Sequence, residues 1–165
     1  MQMNMASAIN SALDSILAEN RNAVILGEDI GKDGGVFRVT DGLFDKYGAG
    51  RVMDTPLAES GIIGMSIGMA LAGMLPIPEI QFAGFSYLGF DQLVSHAARY
   101  RARTRSVFSV PMIVRMPVSG GVRALEHHSE SPETYYSHPG GLIVVDRAAL
   151  PLRGRCQQHF QNDLR

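Results

Sequence analysis

The sequence predicts an α/β domain around a largely parallel sheet, and three observations lead to it. Short, nearly continuous apolar runs recur at 23–26 (AVIL), 75–78 (LPIP), 112–114 (MIV) and 142–145 (LIVV), the pattern of strands buried on both faces. Segments with apolar residues at helical spacing lie between them. Strand and helix alternate, which favours parallel βαβ units.

The elements follow in order. Residues 5–19 place Ile9, Leu13, Ile16 and Leu17 on one helical face. "NAVILGEDI" is a buried strand, and "GKDGGVFRVTDGLFDKYGAGR" is a glycine-rich loop holding a short helix near Leu43 to Tyr47. "RVMDT" is a short strand, after which Thr55 is placed to cap a helical turn opened by Pro56. The stretch "DTPLAESGIIGMSIGMALAG" then carries no charge after Glu59. It reads as a buried helix in which Ser60, Gly64 and Gly68 form a row of small residues that admits a close neighbour. "PIPEIQF" is a strand. "GFDQLVSHAARYRARTRS" is a helix with Leu93, Val94 and Ala97 inward and Arg99, Arg101, Arg103 and Arg105 at its solvated end. "PMIVRMPV" and "GLIVVD" are two further strands.

Composition narrows the function classes. The chain's 165 residues suit one domain, and a net charge of −1 gives no general attraction to nucleic acid or anionic lipid. The uncharged run 60–78 is about the length of a membrane span. Its glycines, with Pro76 and Pro78 at its end, make it a core helix instead. A single cysteine, Cys156, permits neither an internal disulfide nor a cysteine-based zinc site. With no basic region ahead of an apolar one at the N-terminus, the expected location is the cytoplasm, without a membrane contact.

Several residues invite chemistry. Glu59 is either a first-turn carboxylate favoured by the helix dipole or an acid that shares a proton with a bound base. His127 and His128 are adjacent, so an extended backbone would point them to opposite sides. That disfavours a shared metal but leaves one of them free for proton transfer. No metal site is expected. Phe82, Phe85, Tyr87 and Phe90 are either core rings or a flat wall for a planar ligand. "GEDIGKDGG" lacks both nucleotide-loop patterns.

Taken in order, "GEDIGKDGGVFRVTDGLFDKYG", "RVMDTPLAESGIIGMSIGMALAG", "PIPEIQF", "FDQLV" and "HSES" resemble the beta subunit of the thiamine-diphosphate-dependent 2-oxo acid dehydrogenases, over about residues 5–145. The family includes the decarboxylase components of the pyruvate and branched-chain 2-oxo acid dehydrogenase complexes. The resemblance implies a three-layer α/β/α domain that binds the pyrimidine half of thiamine diphosphate. It implies that Glu59 hydrogen-bonds the aminopyrimidine ring and activates the cofactor by sharing a proton with it. It gives Leu57 a place in the pyrimidine pocket and sets Gln81 and Phe85 along the site. His128 becomes the residue facing the incoming lipoyl group. The implied reaction is decarboxylation of a 2-oxo acid with acyl transfer to a lipoyl-bearing acyltransferase. Diphosphate and magnesium would be held by an alpha subunit, whose GDG signature this chain lacks. Two positions depart from the family pattern: Glu130 stands where the family has Gln, and Gly84 where it has Asp.

The last stretch, "DRAALPLRGRCQQHFQNDLR", does not resemble the family's continuation. The expected organisation is therefore a domain over 1–146 and a divergent tail over 147–165, with the family's C-terminal domain absent, as a truncation by frameshift would produce. Such a chain would be inactive alone. A second reading makes it a self-assembling structural module, a closed homo-oligomer that reuses the bared Ser60/Gly64/Gly68 face.

Overall fold

The computed structural model describes residues 3–118 and 123–146; the expected tail over 147–165 lies outside the described residues. Helix α1 (Met5–Glu19) starts at Asn4, whose side chain accepts the Ser7 amide at 2.8 Å, satisfying one of the free amides of a first turn. Its buried residues, Leu13 and Leu17, are one turn apart. Strand β1 (Ala23–Gly27), helix α2 (Leu43–Tyr47), strand β2 (Val52–Asp54), helix α3 (Glu59–Leu71) and strand β3 (Leu75–Glu79) follow. A 3-10 segment (Ala83–Gly89) leads to a π-helical turn (Gln92–Ala97) that runs into α4 (Ala98–Arg103). A 3-10 turn (Glu126–Ser129) and α5 (Glu133–Ser137) come last.

The strands are parallel in the order β2-β1-β3. All five residues of central β1 are buried, so both faces of the sheet are covered. Ile25 packs with Leu13, Leu17, Leu43 and Ile77, the core shared with α1 and α2. Its neighbour Leu26 points the other way, onto Ile62, Ile63 and Ile67 of α3, with Leu93 and Tyr136. The strand's two-residue period thus builds a three-layer α/β/α sandwich, the architecture expected from the sequence.

The segment 113–117 lies beside β3. Ile113 and Arg115 donate to the carbonyls of Pro76 and Pro78 at 3.2 and 2.9 Å, and Arg115 accepts from Ile80 at 2.9 Å. It joins the sheet only as an isolated bridge at Glu79–Arg115. Pro76 and Pro78 explain this: on that side of β3 their nitrogens have no hydrogen to donate. Glu79 forms a buried ion pair with Arg115 there. Burial draws the Arg115 guanidinium down to about 10, still charged at neutral pH.

Two expectations are corrected. Residues 142–145 form no strand: Leu142 packs against the α3 core, but Ile143, Val144 and Val145 are exposed and pair with no sheet edge. Thr55 caps no helix. Pro56 to Ala58 stay outside α3, which starts at Glu59 with Ala58 as its N-cap, and the Thr55 hydroxyl is buried without a partner among the described residues.

Candidate active site at the C-terminal edge of the sheet

The three parallel strands end level with one another, Gly27 standing opposite Asp54 and Glu79. The segments that leave these ends carry Glu28 and Asp29, then Thr55 to Leu57, then Gln81 and Phe82. In open α/β sheets this edge is where ligands bind.

Glu59 is the first residue of α3 and only 7% exposed. Its position in the first turn suits a negative charge, and the residues behind it are the buried Ile62 and Ile63. A second carboxylate sits close by. Glu28 is 3% exposed, and neither of its carboxylate oxygens has a hydrogen-bond partner among the described residues. Burial raises the Glu28 carboxyl above the ordinary range, and the negative charges of Glu59 and Asp29 push it further the same way. Both causes favour the protonated form of Glu28 at this edge of the sheet. Sequence reasoning missed Glu28 because "GEDIGKDGG" was weighed only as a phosphate loop. The available signal was an acid placed directly after the fully apolar strand "AVILG".

Gln81 donates its side-chain amide to Asp29 at 2.7 Å. That fixes the amide's orientation and leaves its carbonyl oxygen as an acceptor. Asp29 itself is held in the left-handed region, φ 56°. Phe82 and Phe85 meet edge to face at 5.7 Å, and His128 lies edge-on to both, at 4.5 and 5.1 Å. His127 and His128 stand on a tight 3-10 turn rather than an extended strand. Their rings do not part to opposite sides: both lie near Phe85, His127 at 6.2 Å. Leu57 is 82% exposed on the loop before α3. The structure thus sets Gln81 just past the end of β3, packs Phe85 against the α3 core, holds His128 against Phe82 and Phe85, and leaves Leu57 on the loop before Glu59. A shallow concavity lined by Asp29, Asp33, Gly35, Val36 and Arg38 meets the site only through Asp29.

A family model described as "Transketolase, pyrimidine binding domain" matches residues 1–147. The chain belongs to this family. Among curated relatives of this pyrimidine-binding domain, the 3-methyl-2-oxobutanoate dehydrogenase subunit beta of Mycobacterium tuberculosis is 54% identical over 143 residues, 87% of this chain and 41% of its own length. The pyruvate dehydrogenase E1 component subunit beta of Acholeplasma laidlawii is 53% identical over 86% of this chain and 43% of its own length. The 2-oxoisovalerate dehydrogenase subunit beta of Pseudomonas aeruginosa is 48% identical over 87% and 41%. The relatives are therefore the 2-oxo acid dehydrogenase beta subunits that the ordered motifs led one to expect, and the chain spans about two fifths of their length. Among solved structures, a chain described as "Split gene transketolase, inactive beta4 tetramer" superposes with a TM-score of 0.52 at 20% identity, covering 68% of this chain and 33% of that one. It is a likeness of fold.

A pyrimidine-binding domain should offer a flat apolar wall and acceptors for ring and amine nitrogens. The residues present fit such a group. Phe85 supplies a ring. Glu59, the carboxylate oxygens of Glu28 and the side-chain carbonyl of Gln81 are acceptors at one edge, the last two without a hydrogen-bond partner among the described residues. Among the described residues there is no cluster of three metal-ligating side chains, and no helix is long and apolar enough to cross a membrane.

Proposed function

We propose that this chain supplies the pyrimidine-binding half of a thiamine-diphosphate site in a 2-oxo acid dehydrogenase decarboxylase component. Residues 1–146 are the functional domain and 147–165 a separate tail. The observation that carries the reading is the buried acid pair at the C-terminal edge of a parallel sheet, Glu59 with Glu28, whose carboxylate oxygens have no hydrogen-bond partner among the described residues. Family membership and relatives about half identical in sequence support it.

When bound, thiamine diphosphate supplies the carbanion chemistry of decarboxylation. This chain's residues bind and orient it and manage a proton. Glu59 accepts a hydrogen bond from a pyrimidine nitrogen and shares its proton. Glu28 keeps negative charge from accumulating beside it. Phe85 and the Gln81 carbonyl fix the ring, and Leu57 closes its rim. The apolar residues behind Glu59 exclude water and so strengthen the contact. His128 stands where an incoming lipoyl group would be met and hands it a proton during acyl transfer. An alpha subunit holds the diphosphate and its magnesium, and the lipoyl-bearing acyltransferase takes the acyl group. The complex works in the cytoplasm, and the chain alone does not turn over.

The test is 2-oxo acid-dependent reduction of a lipoyl acceptor by the chain mixed with its alpha subunit. Wild type should turn over, and Glu59→Gln should lose roughly 10²–10⁴-fold while still folding and binding the alpha subunit. A folded, bound Glu59→Gln with full activity would contradict the reading.

One observation favours a second reading, a self-assembling module. Helix α3 is apolar on all sides, yet Gly61, Met65 and Gly68 lie exposed. A helix of that composition is ordinarily buried. A discrete closed oligomer of the chain alone, with no binding to the alpha subunit, would leave this second reading in place.

A further inference from the structure

The turn that carries His127 and His128 rests on a gap where a side chain is missing. Gly84 is buried in the 3-10 segment behind β3. A Cβ built on it would lie 2.8 Å from the Cα of His127 and 2.9 Å from its carbonyl carbon, and closer still to the carbonyl oxygen. Real Cβ atoms essentially never come within 3.0 Å of such atoms. Gly84 does not adopt a left-handed conformation, so the backbone itself does not demand glycine. Only the approach of His127 does.

Everything around the contact is tied down. Arg123 and Glu126 both take left-handed conformations, φ 58° and 53°, and bend the chain into the turn. The Ser129 hydroxyl donates to the Ala124 carbonyl at 2.8 Å and closes it. Downstream, the buried Tyr136 hydroxyl donates to Ser86 at 2.6 Å, and Tyr135 meets Tyr87 edge to face at 6.0 Å. Segment 83–89 is thus a platform on which residues 126–136 are docked, with Gly84 at the closest point.

We infer that Gly84 is a positioning residue: its missing side chain sets how deep the His127–His128 turn sits, and so holds the His128 imidazole against Phe82 and Phe85. The inference rests on the proposed role of His128, but its geometry can be tested without any turnover. A side chain at 84 forces the turn to sit farther out.

The test is NMR of the isolated chain with labelled histidine. His128 ring protons should carry the ring-current shifts of the edge-on contacts with Phe82 and Phe85. Gly84→Ala should move them toward the values of an unstacked imidazole, while the methyl signals of Ile62 and Ile63 stay in place. Gly140→Ala, where a Cβ meets nothing within 4 Å, should leave them unchanged. A folded Gly84→Ala chain with His128 shifts identical to wild type would overturn the inference. Should Gly84→Ala fail to fold, the wild-type spectrum still decides: cross-relaxation between the Gly84 and His127 α-protons is expected, and its absence would overturn the inference too. Loss of activity in Glu59→Gln bears on the proposed function and not on this contact.

Discussion

Glu28 and Glu59 set the chemistry at the residue scale. A carboxyl raised by burial binds its proton more tightly in the folded chain than in the unfolded one. Its favourable contribution is therefore complete below the unfolded value, 4.5, and is lost as pH rises through the folded value. Glu28→Gln removes that loss. Urea unfolding across this window should show the substituted chain gaining on wild type as pH rises. Equal pH profiles would mean that Glu28 is not desolvated as described. Glu59 was legible in the sequence because a lone acid opens an otherwise uncharged helix. Glu28 was not, since its meaning depends on the sheet edge that brings it beside Glu59. The histidine pair was misjudged for a related reason: the left-handed residues Arg123 and Glu126 make the tight turn, and neither is a glycine that would have announced it.

At the scale of elements, segment 113–117 and the platform 83–89 matter most. The buried Glu79–Arg115 pair joins β3 to the neighbouring segment where two prolines have removed ladder donors. Arg115→Met should leave the buried Glu79 without its ion-pair partner, at a cost of about 3–5 kcal/mol in chemical denaturation. The double substitution Glu79→Leu/Arg115→Met should recover most of that. Tyr136→Phe deletes one buried hydrogen bond, to Ser86, and should cost about 1 kcal/mol. Helices α1 and α2 and the three strands could be read from periodicity because local pattern and tertiary burial agree there. The run 142–145 could not: its apolar residues promise a strand, and a strand needs a sheet edge that pattern alone does not supply. The start of α3 differs from the expected one because Thr55-Pro56 imitates a cap, whereas Pro56 to Ala58 stay non-helical and deliver Glu59 into the first turn.

For the whole molecule, the open side of α3 is the feature that points outward. A Cβ at Gly68 would meet nothing within 4 Å, whereas one at Gly64 would touch Gln92. The small-residue row is therefore divided: Gly64 serves this chain's own packing, and Gly68 faces out. Gly68→Leu should raise the stability of the isolated chain by roughly 0.5–1 kcal/mol through helix propensity while weakening association with the alpha subunit or with further copies, as read by sedimentation. The fold class was plain from the alternation of runs. The division of the glycine row was not, because sequence spacing cannot tell which neighbour a small residue admits. The central claim is that this edge of the sheet receives a pyrimidine and that Glu59 holds it. Its most direct test is calorimetric titration of thiamine diphosphate and magnesium into the chain combined with its alpha subunit, with Glu59→Gln beside wild type. The account predicts saturable binding to wild type and an affinity at least about tenfold weaker for the substituted complex, in keeping with a lost charge-assisted hydrogen bond. Equal affinity in two intact complexes would contradict it.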